Sequence, residues 1–200
     1  MDLNKPDNKN LDKKSSFKKK VIREIMDWTK GIAIALSIAY VINGYVIVNA
    51  EIPSPSMEGT IMVDDRVVAS RLSYLLEEPE RFDIIVFIPP DNRDVLYVKR
   101  VIGLPGELVE LIDGKVYING NEKPLPDSFI KEESFDNSGP YLVPDDSYFV
   151  MGDNRNKSID SRSWVKSHYV PAEDIVGKVM FRYFPSPKVY SKSWIEDVSF

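Results

Sequence analysis

The chain has 200 residues, 43% hydrophobic and 28% charged, which is enough for one packed domain with an appendage and too apolar for a disordered chain. It has no cysteine and one histidine, His168, which excludes disulfides, thiolate metal sites, cysteine nucleophiles and multi-histidine metal sites. The net charge of −5 is uneven: residues 1–30 hold nine Lys/Arg against five Asp/Glu, so the remainder carries −9, an acidity that disfavours general nucleic-acid binding.

From Lys13 to Arg23 there are six basic residues and no acid. After Trp28 and Lys30, no charge occurs from Gly31 to Ala50. Twenty residues make about 30 Å of helix, matching the hydrocarbon core of a bilayer. Trp28 and Tyr45 suit the two interfaces. The pattern predicts a basic cytoplasmic tail over 1–30, a transmembrane helix over 31–50 and an outer domain over 51–200. The excess of Lys/Arg on the N-terminal flank keeps that end inside. A buried core helix would rarely follow so basic a run. A cleaved secretory signal is the closer alternative, because Val48-Asn49-Ala50 ends on a small residue, although the run is longer than the usual signal core.

Beyond Glu51 the sequence turns to short β-type runs. Arg66–Ser70, Asp83–Ile88, Val95–Ile102, Glu107–Ile112, Lys115–Ile118, Tyr148–Met151 and Asp174–Tyr183 are rich in Val, Ile, Tyr and Phe and read as strands. Asp113-Gly114 is a hairpin signal and Asn119-Gly120 a second turn; Arg71–Glu78 reads as a short helix. The segment of about 119–146, rich in Pro, Ser and acids, reads as a less regular excursion. The expected fold is mostly β: a transmembrane helix, then a β-barrel or coiled-sheet domain.

Three segments carry chemistry. In Ile52-Pro53-Ser54-Pro55-Ser56-Met57, an extended chain would turn the Ser54 and Ser56 hydroxyls to one side. The two prolines stiffen it and keep it out of a central strand. A serine with a second hydroxyl and a backbone N–H beside it supplies both a nucleophile and oxyanion donors, although Ser-Pro-Ser is more often a surface turn. In the predicted strand from Val95, Lys99 shares a face with Val95, Tyr97 and Val101. Burial among such neighbours lowers a lysine pKa and makes the amine a base for serine; the plainer alternative is an edge lysine reaching solvent. The third segment, Tyr148 to Arg162, is a β run ending at Gly152 and a dense polar loop. There Ser158 can orient a neutral lysine, and Asp160 can pair with Arg162.

In this order the anchor, Ser54-x-Ser56-Met57, Tyr97-x-Lys99-Arg100-x-x-Gly103-x-Pro105-Gly106-Glu107 and Gly152-Asp153-Asn154-Arg155-x-x-Ser158-x-Asp160-Ser161-Arg162 resemble bacterial type I signal peptidase, also called leader peptidase, in its single-anchor form. The likeness runs from the anchor to about Phe184. It implies a membrane-anchored serine–lysine endopeptidase that removes signal peptides from exported precursors after a small residue. It implies no cofactor and no metal. By the same resemblance Ser56 is the nucleophile, Lys99 the general base, and Ser54 with the Ser56 N–H the oxyanion hole. Ser158 positions the lysine, with Asp160, Arg162 and Arg100 as supporting ion pairs. Ile52, Met57, Ile61, Val67, Val86, Tyr97 and Val98 match the substrate pockets. The implied partners are signal peptides and membrane lipid, with no nucleic acid, and the implied place is the cell membrane, crossed once, with the catalytic domain outside. Three residues depart from the pattern: Pro55 between the serines, Gly59 in place of a proline, expected to loosen its turn, and Phe82 where glycine is frequent. A self-cleaving repressor-type peptidase shares the serine–lysine pair but lacks an anchor. A membrane-tethered binding module on the same fold would usually lose the nucleophile or the base.

Overall fold

The basic and apolar runs fold as one helix, α1 (Asn8–Val41), which passes into a π-helical turn at Ile42–Val46. In this computed structural model residues 8–190 are described, the backbone alone for 8–19 and Leu76; residues 1–7 of the tail and 191–200 of the outer domain lie outside the described residues. Residues 1–44 and 45–200 are separate units. Lys20–Val46 is long and apolar enough to cross a membrane. The charge-free run is not helical to its end, however. Ile47–Glu51 is a strand, with Val48 buried and Asn49 exposed, so its β-branched residues serve a sheet where the hydropathy pattern alone continues the helix.

The strands are β1 (Ile47–Glu51), β2 (Arg66–Ser70), β3 (Ile84–Phe87), β4 (Tyr97–Gly103), β5 (Leu108–Ile112), β6 (Lys115–Ile118), β7 (Ser138–Leu142), β8 (Ser147–Met151), β9 (Val170–Pro171), β10 (Ile175–Phe184) and β11 (Lys188–Val189). An antiparallel sheet runs β1-β2-β10-β3-β4-β8-β9, with β11 beside β10. Bulges where β10 meets β2 and β3, and where β4 meets β8, bend and coil it. A second, three-stranded sheet runs β6-β5-β7. Its β5–β6 hairpin closes on Asp113-Gly114 at φ 47° and 75°, the two positive values such a turn needs. β7 falls inside the segment read as irregular and adds to β5. The helix read over 71–78 is a single turn, α2 (Ser73–Leu76). Pro79 disfavours helical backbone at Glu78 and limits its extension.

β3 buries all four of its residues. Its alternate side chains feed two clusters. Ile84 and Val86 pack with Ile52, Met57, Ile61 and Val67; Ile85 and Phe87 pack with Val101, Val150 and Trp164. A third cluster, including Ile102, Val109, Phe149 and Met151, joins the small sheet to the large one. β4, pinned between β3 and β8, is therefore buried on both faces and holds its two cations away from water.

Candidate active site

After β1, Ser54 is extended at φ −127°, ψ 152°, and Pro55 opens one turn of 3-10 helix, Pro55–Met57. Proline fits that first position because its missing N–H would have no helical acceptor. The expectation of a wholly extended 52–57 segment is thus corrected: Ser56 sits within the turn. The hydroxyls still meet, with Ser54 Oγ 3.2 Å from Ser56 Oγ. The Ser56 N–H is one of the first of the turn and has no partner inside it.

Two departures from the family pattern gain a physical reason. Gly59 has φ 110°, which proline cannot adopt, and a Cβ there would stand 2.9 Å from the Phe129 carbonyl oxygen. The turn is built around glycine rather than loosened by it. Phe82 has φ 71°, a conformation natural to glycine. Its ring is buried edge-on against Phe129, 6.0 Å between centroids, which offsets the strain.

Lys99 arrives from β4 and is 3% exposed. Its Nζ donates to Ser56 Oγ at 2.8 Å and to the Val98 carbonyl at 3.1 Å, and it lies 5.2 Å from the centre of the Tyr97 ring. Burial lowers its pKa to about 8, against the opposing pull of Asp160 and Asp153. No carboxylate pairs directly with it among the described residues.

The polar loop after β8 closes around this pair. Gly152 is squeezed between its neighbours: a Cβ would fall 2.2 Å from Ser158 Oγ and 2.4 Å from the Ser56 carbonyl oxygen. The Asn154 N–H donates to that same carbonyl at 3.0 Å, and its side chain donates to Glu58. Asp160 is fully buried and accepts from the Gly152 N–H at 2.9 Å and from Arg162 Nε and Nη2 at 2.8 Å. Burial pushes its carboxyl up, but Arg162, the Gly152 N–H and the nearby Ser158 hydroxyl together hold it below the usual range. Arg162 also reaches Asp136 and the Arg155 carbonyl.

The site residues do not all assemble as the sequence led us to expect. Arg100 does not join Asp160. It leaves β4 on the face opposite Lys99 and forms a buried two-pronged pair with Asp153, at 2.8 and 2.7 Å. It donates as well to the Phe82 carbonyl and to Thr60 Oγ1. Ser158 Oγ is buried against Gly152 and makes no hydrogen bond to Lys99. Ile52, Met57, Val86, Tyr97 and Val98 line a cleft of about 550 Å³ that opens on Ser54, Ser56 and Lys99. Ile61 and Val67 do not line it; both are 0% exposed core residues. Gly152, Asp153 and Asn154 had been given no role. The signal for them was a glycine at the end of a strand beside consecutive polar residues. Together these groups bring a serine hydroxyl and a buried lysine amine to hydrogen-bond distance, with a second hydroxyl beside them, at the floor of an apolar cleft.

The model of the family "Signal peptidase, peptidase S26" matches residues 25–184. A probable signal peptidase I-2 of Synechocystis sp. is 41% identical over 165 residues, covering 80% of this chain and 73% of that protein. Signal peptidase I S of Bacillus subtilis is 35% identical over 172 residues, covering 82% of this chain and 91% of that protein. A crystal structure of a signal peptidase I from Enterococcus faecalis is 31% identical and covers 51% of this chain and 97% of its own, with a TM-score of 0.36.

Proposed function

The chain belongs to the signal peptidase family, peptidase S26: it is a serine peptidase that removes signal peptides from precursor proteins, and we propose that Ser56 is its nucleophile and Lys99 its general base. The observation that carries the assignment is the 2.8 Å approach of Lys99 Nζ to Ser56 Oγ in a buried setting. An ammonium has no lone pair, so the amine must be neutral to act, and burial favours that form.

Neutral Lys99 accepts the Ser56 proton as Oγ bonds to the scissile carbonyl carbon. The carbonyl electron pair moves to oxygen, where the Ser54 hydroxyl and the Ser56 N–H donate to it. The tetrahedral centre then collapses, the C–N bond breaks and Lys99 protonates the departing amine. Water, deprotonated by the same lysine, hydrolyses the ester and frees Ser56. Asp160 and Arg162 brace the loop that carries Gly152 and Ser158. Arg100 with Asp153 fixes β4 against that loop.

The β1 edge and the Val95–Val98 segment leave room for an extended peptide, whose alternate side chains meet Ile52, Met57, Val86 and Val98. Those shallow apolar walls favour small residues before the cut. The apolar span through Val46 anchors the chain in the lipid of the cell membrane as a single pass, with the basic tail cytoplasmic and the domain from β1 onward outside.

The test is cleavage of an exported precursor by the full-length protein in detergent. Ser56→Ala and Lys99→Ala abolish cleavage with an unchanged circular dichroism spectrum, Ser54→Ala lowers kcat by about 10²–10³, and His168→Ala leaves it intact. Full activity in Lys99→Ala overturns the assignment.

A further inference from the structure

The cleft has one charged wall that the reaction does not use. Lys157 and Ile159 both line it, while Ser158 between them turns its hydroxyl inward against Gly152. Ile159 is 63% exposed and Lys157 is exposed as well. A Cβ at Gly152 would meet both Ser158 and the Ser56 carbonyl, so Lys157 is next in the chain to a residue that shares Gly152 as a neighbour with Ser56. Two other charged side chains line the cleft. Lys99 is buried on Ser56, and Glu51 has Arg66 at 3.5 Å. Lys157 has no carboxylate within ion-pair distance among the described residues. A single free cation on an otherwise apolar wall gives the cleft a directed positive potential.

Resting on the peptidase reading above, we propose that Lys157 is a specificity residue that selects precursors carrying an aspartate or glutamate within three residues of the scissile bond. An extended peptide advances about 3.3 Å per residue, and a lysine side chain spans two such steps, which sets that window. The pair is exposed, so its strength is that of a surface ion pair, and attraction of an acid together with repulsion of a base separates the two by roughly three- to tenfold in kcat/KM.

The experiment uses the full-length protein in detergent and a precursor peptide varied at the second residue before the cut and the first three after it, each as Glu, Gln or Lys. At one of these positions Glu exceeds Lys by that factor at low salt, and about 1 M salt flattens the difference. Lys157→Gln removes the preference and Lys157→Glu reverses it. Equal rates for Glu and Lys at all four positions, or an order unchanged in Lys157→Glu, overturns the proposal. The Gln peptides read the peptidase separately: they are cut by the unmodified protein and not by Ser56→Ala, whichever way the charge preference falls.

Discussion

Replacing Lys99 by methionine keeps most of the side chain's length and flexibility and removes its charge. At neutral pH the unmodified chain must fold an ammonium into a site that is 3% exposed, and burial is the main cause that takes its pKa from 10.5 to about 8. That fall corresponds to about 3 kcal/mol of destabilisation carried by the protonated form. Below pH 8 the lysine is protonated in both the folded and the unfolded chain, so the whole cost is present. Between pH 8 and 10.5 the unfolded chain keeps the proton and the folded one releases it, so stability rises with pH and the cost fades to under about 1 kcal/mol by pH 10. Methionine forfeits the hydrogen bonds to Ser56 and Val98, about 1 kcal/mol at any pH. Lys99→Met is therefore more stable than the unmodified protein by about 2 kcal/mol at pH 7, and its advantage is gone at pH 10. Urea unfolding of both full-length proteins in the same detergent, followed by near-ultraviolet circular dichroism at the two pH values, measures the difference. Every other titration is common to the pair and cancels. A gap of equal size at both pH values contradicts a buried ammonium as the source of the cost.

Three further outcomes follow from the same geometry. Cleavage measured as kcat/KM climbs with pH about a midpoint near 8 as Lys99 loses its proton, and a profile that falls above neutrality contradicts a lysine base. Gly152→Ala drives a methyl into Ser158 and the Ser56 carbonyl; it lowers kcat by about 10²-fold or more, read in a precursor cleavage assay, while a stopped-flow binding signal persists. Arg100→Met leaves the Asp153 carboxylate buried without its partner and costs about 3–5 kcal/mol in urea titrations, whereas Arg100→Met with Asp153→Leu recovers most of that loss.

Much of the outer domain was legible because its strands are short, β-branched and bounded by turn residues. Asp113-Gly114 located a hairpin to the residue, since few other pairs tolerate two positive φ values. Ser56 and Lys99 were legible as residue types in a particular order, and burial of the lysine followed from its apolar neighbours. What stayed hidden depended on which elements meet. In sequence β1 is indistinguishable from the end of a helix because Val46, Ile47 and Val48 are apolar under either period, and only pairing with β2 decides between them. Ile61 and Val67 belong to the core although their sequence matches pocket lining, because a residue facing a cleft and one facing the core carry the same hydrophobic signal. The supporting ion pairs divide by strand parity: Arg100, next to Lys99, points the other way and meets Asp153, while Arg162 holds Asp160. Gly59 and Phe82 show the same limit for backbone, since sequence does not display the sign of φ.

Lys99 and Arg100 are neighbours on β4 and lie opposite Ile85 and Ile84 of β3. A slip of the strand by one residue would turn each to the other face and, in one direction, bring the Arg100 guanidinium in place of the Lys99 amine to the hydroxyl of Ser56. Such a misaligned molecule retains every residue of the site and lacks the lysine amine at Ser56. The bulge that interrupts β4 against β8 between Val101 and Gly103 makes that error costly, because the extra residue would have to migrate along the strand. On the proposed assignment, alignment of this one ladder decides whether a base reaches Ser56: a chain that has not zipped correctly brings no lysine amine to that hydroxyl.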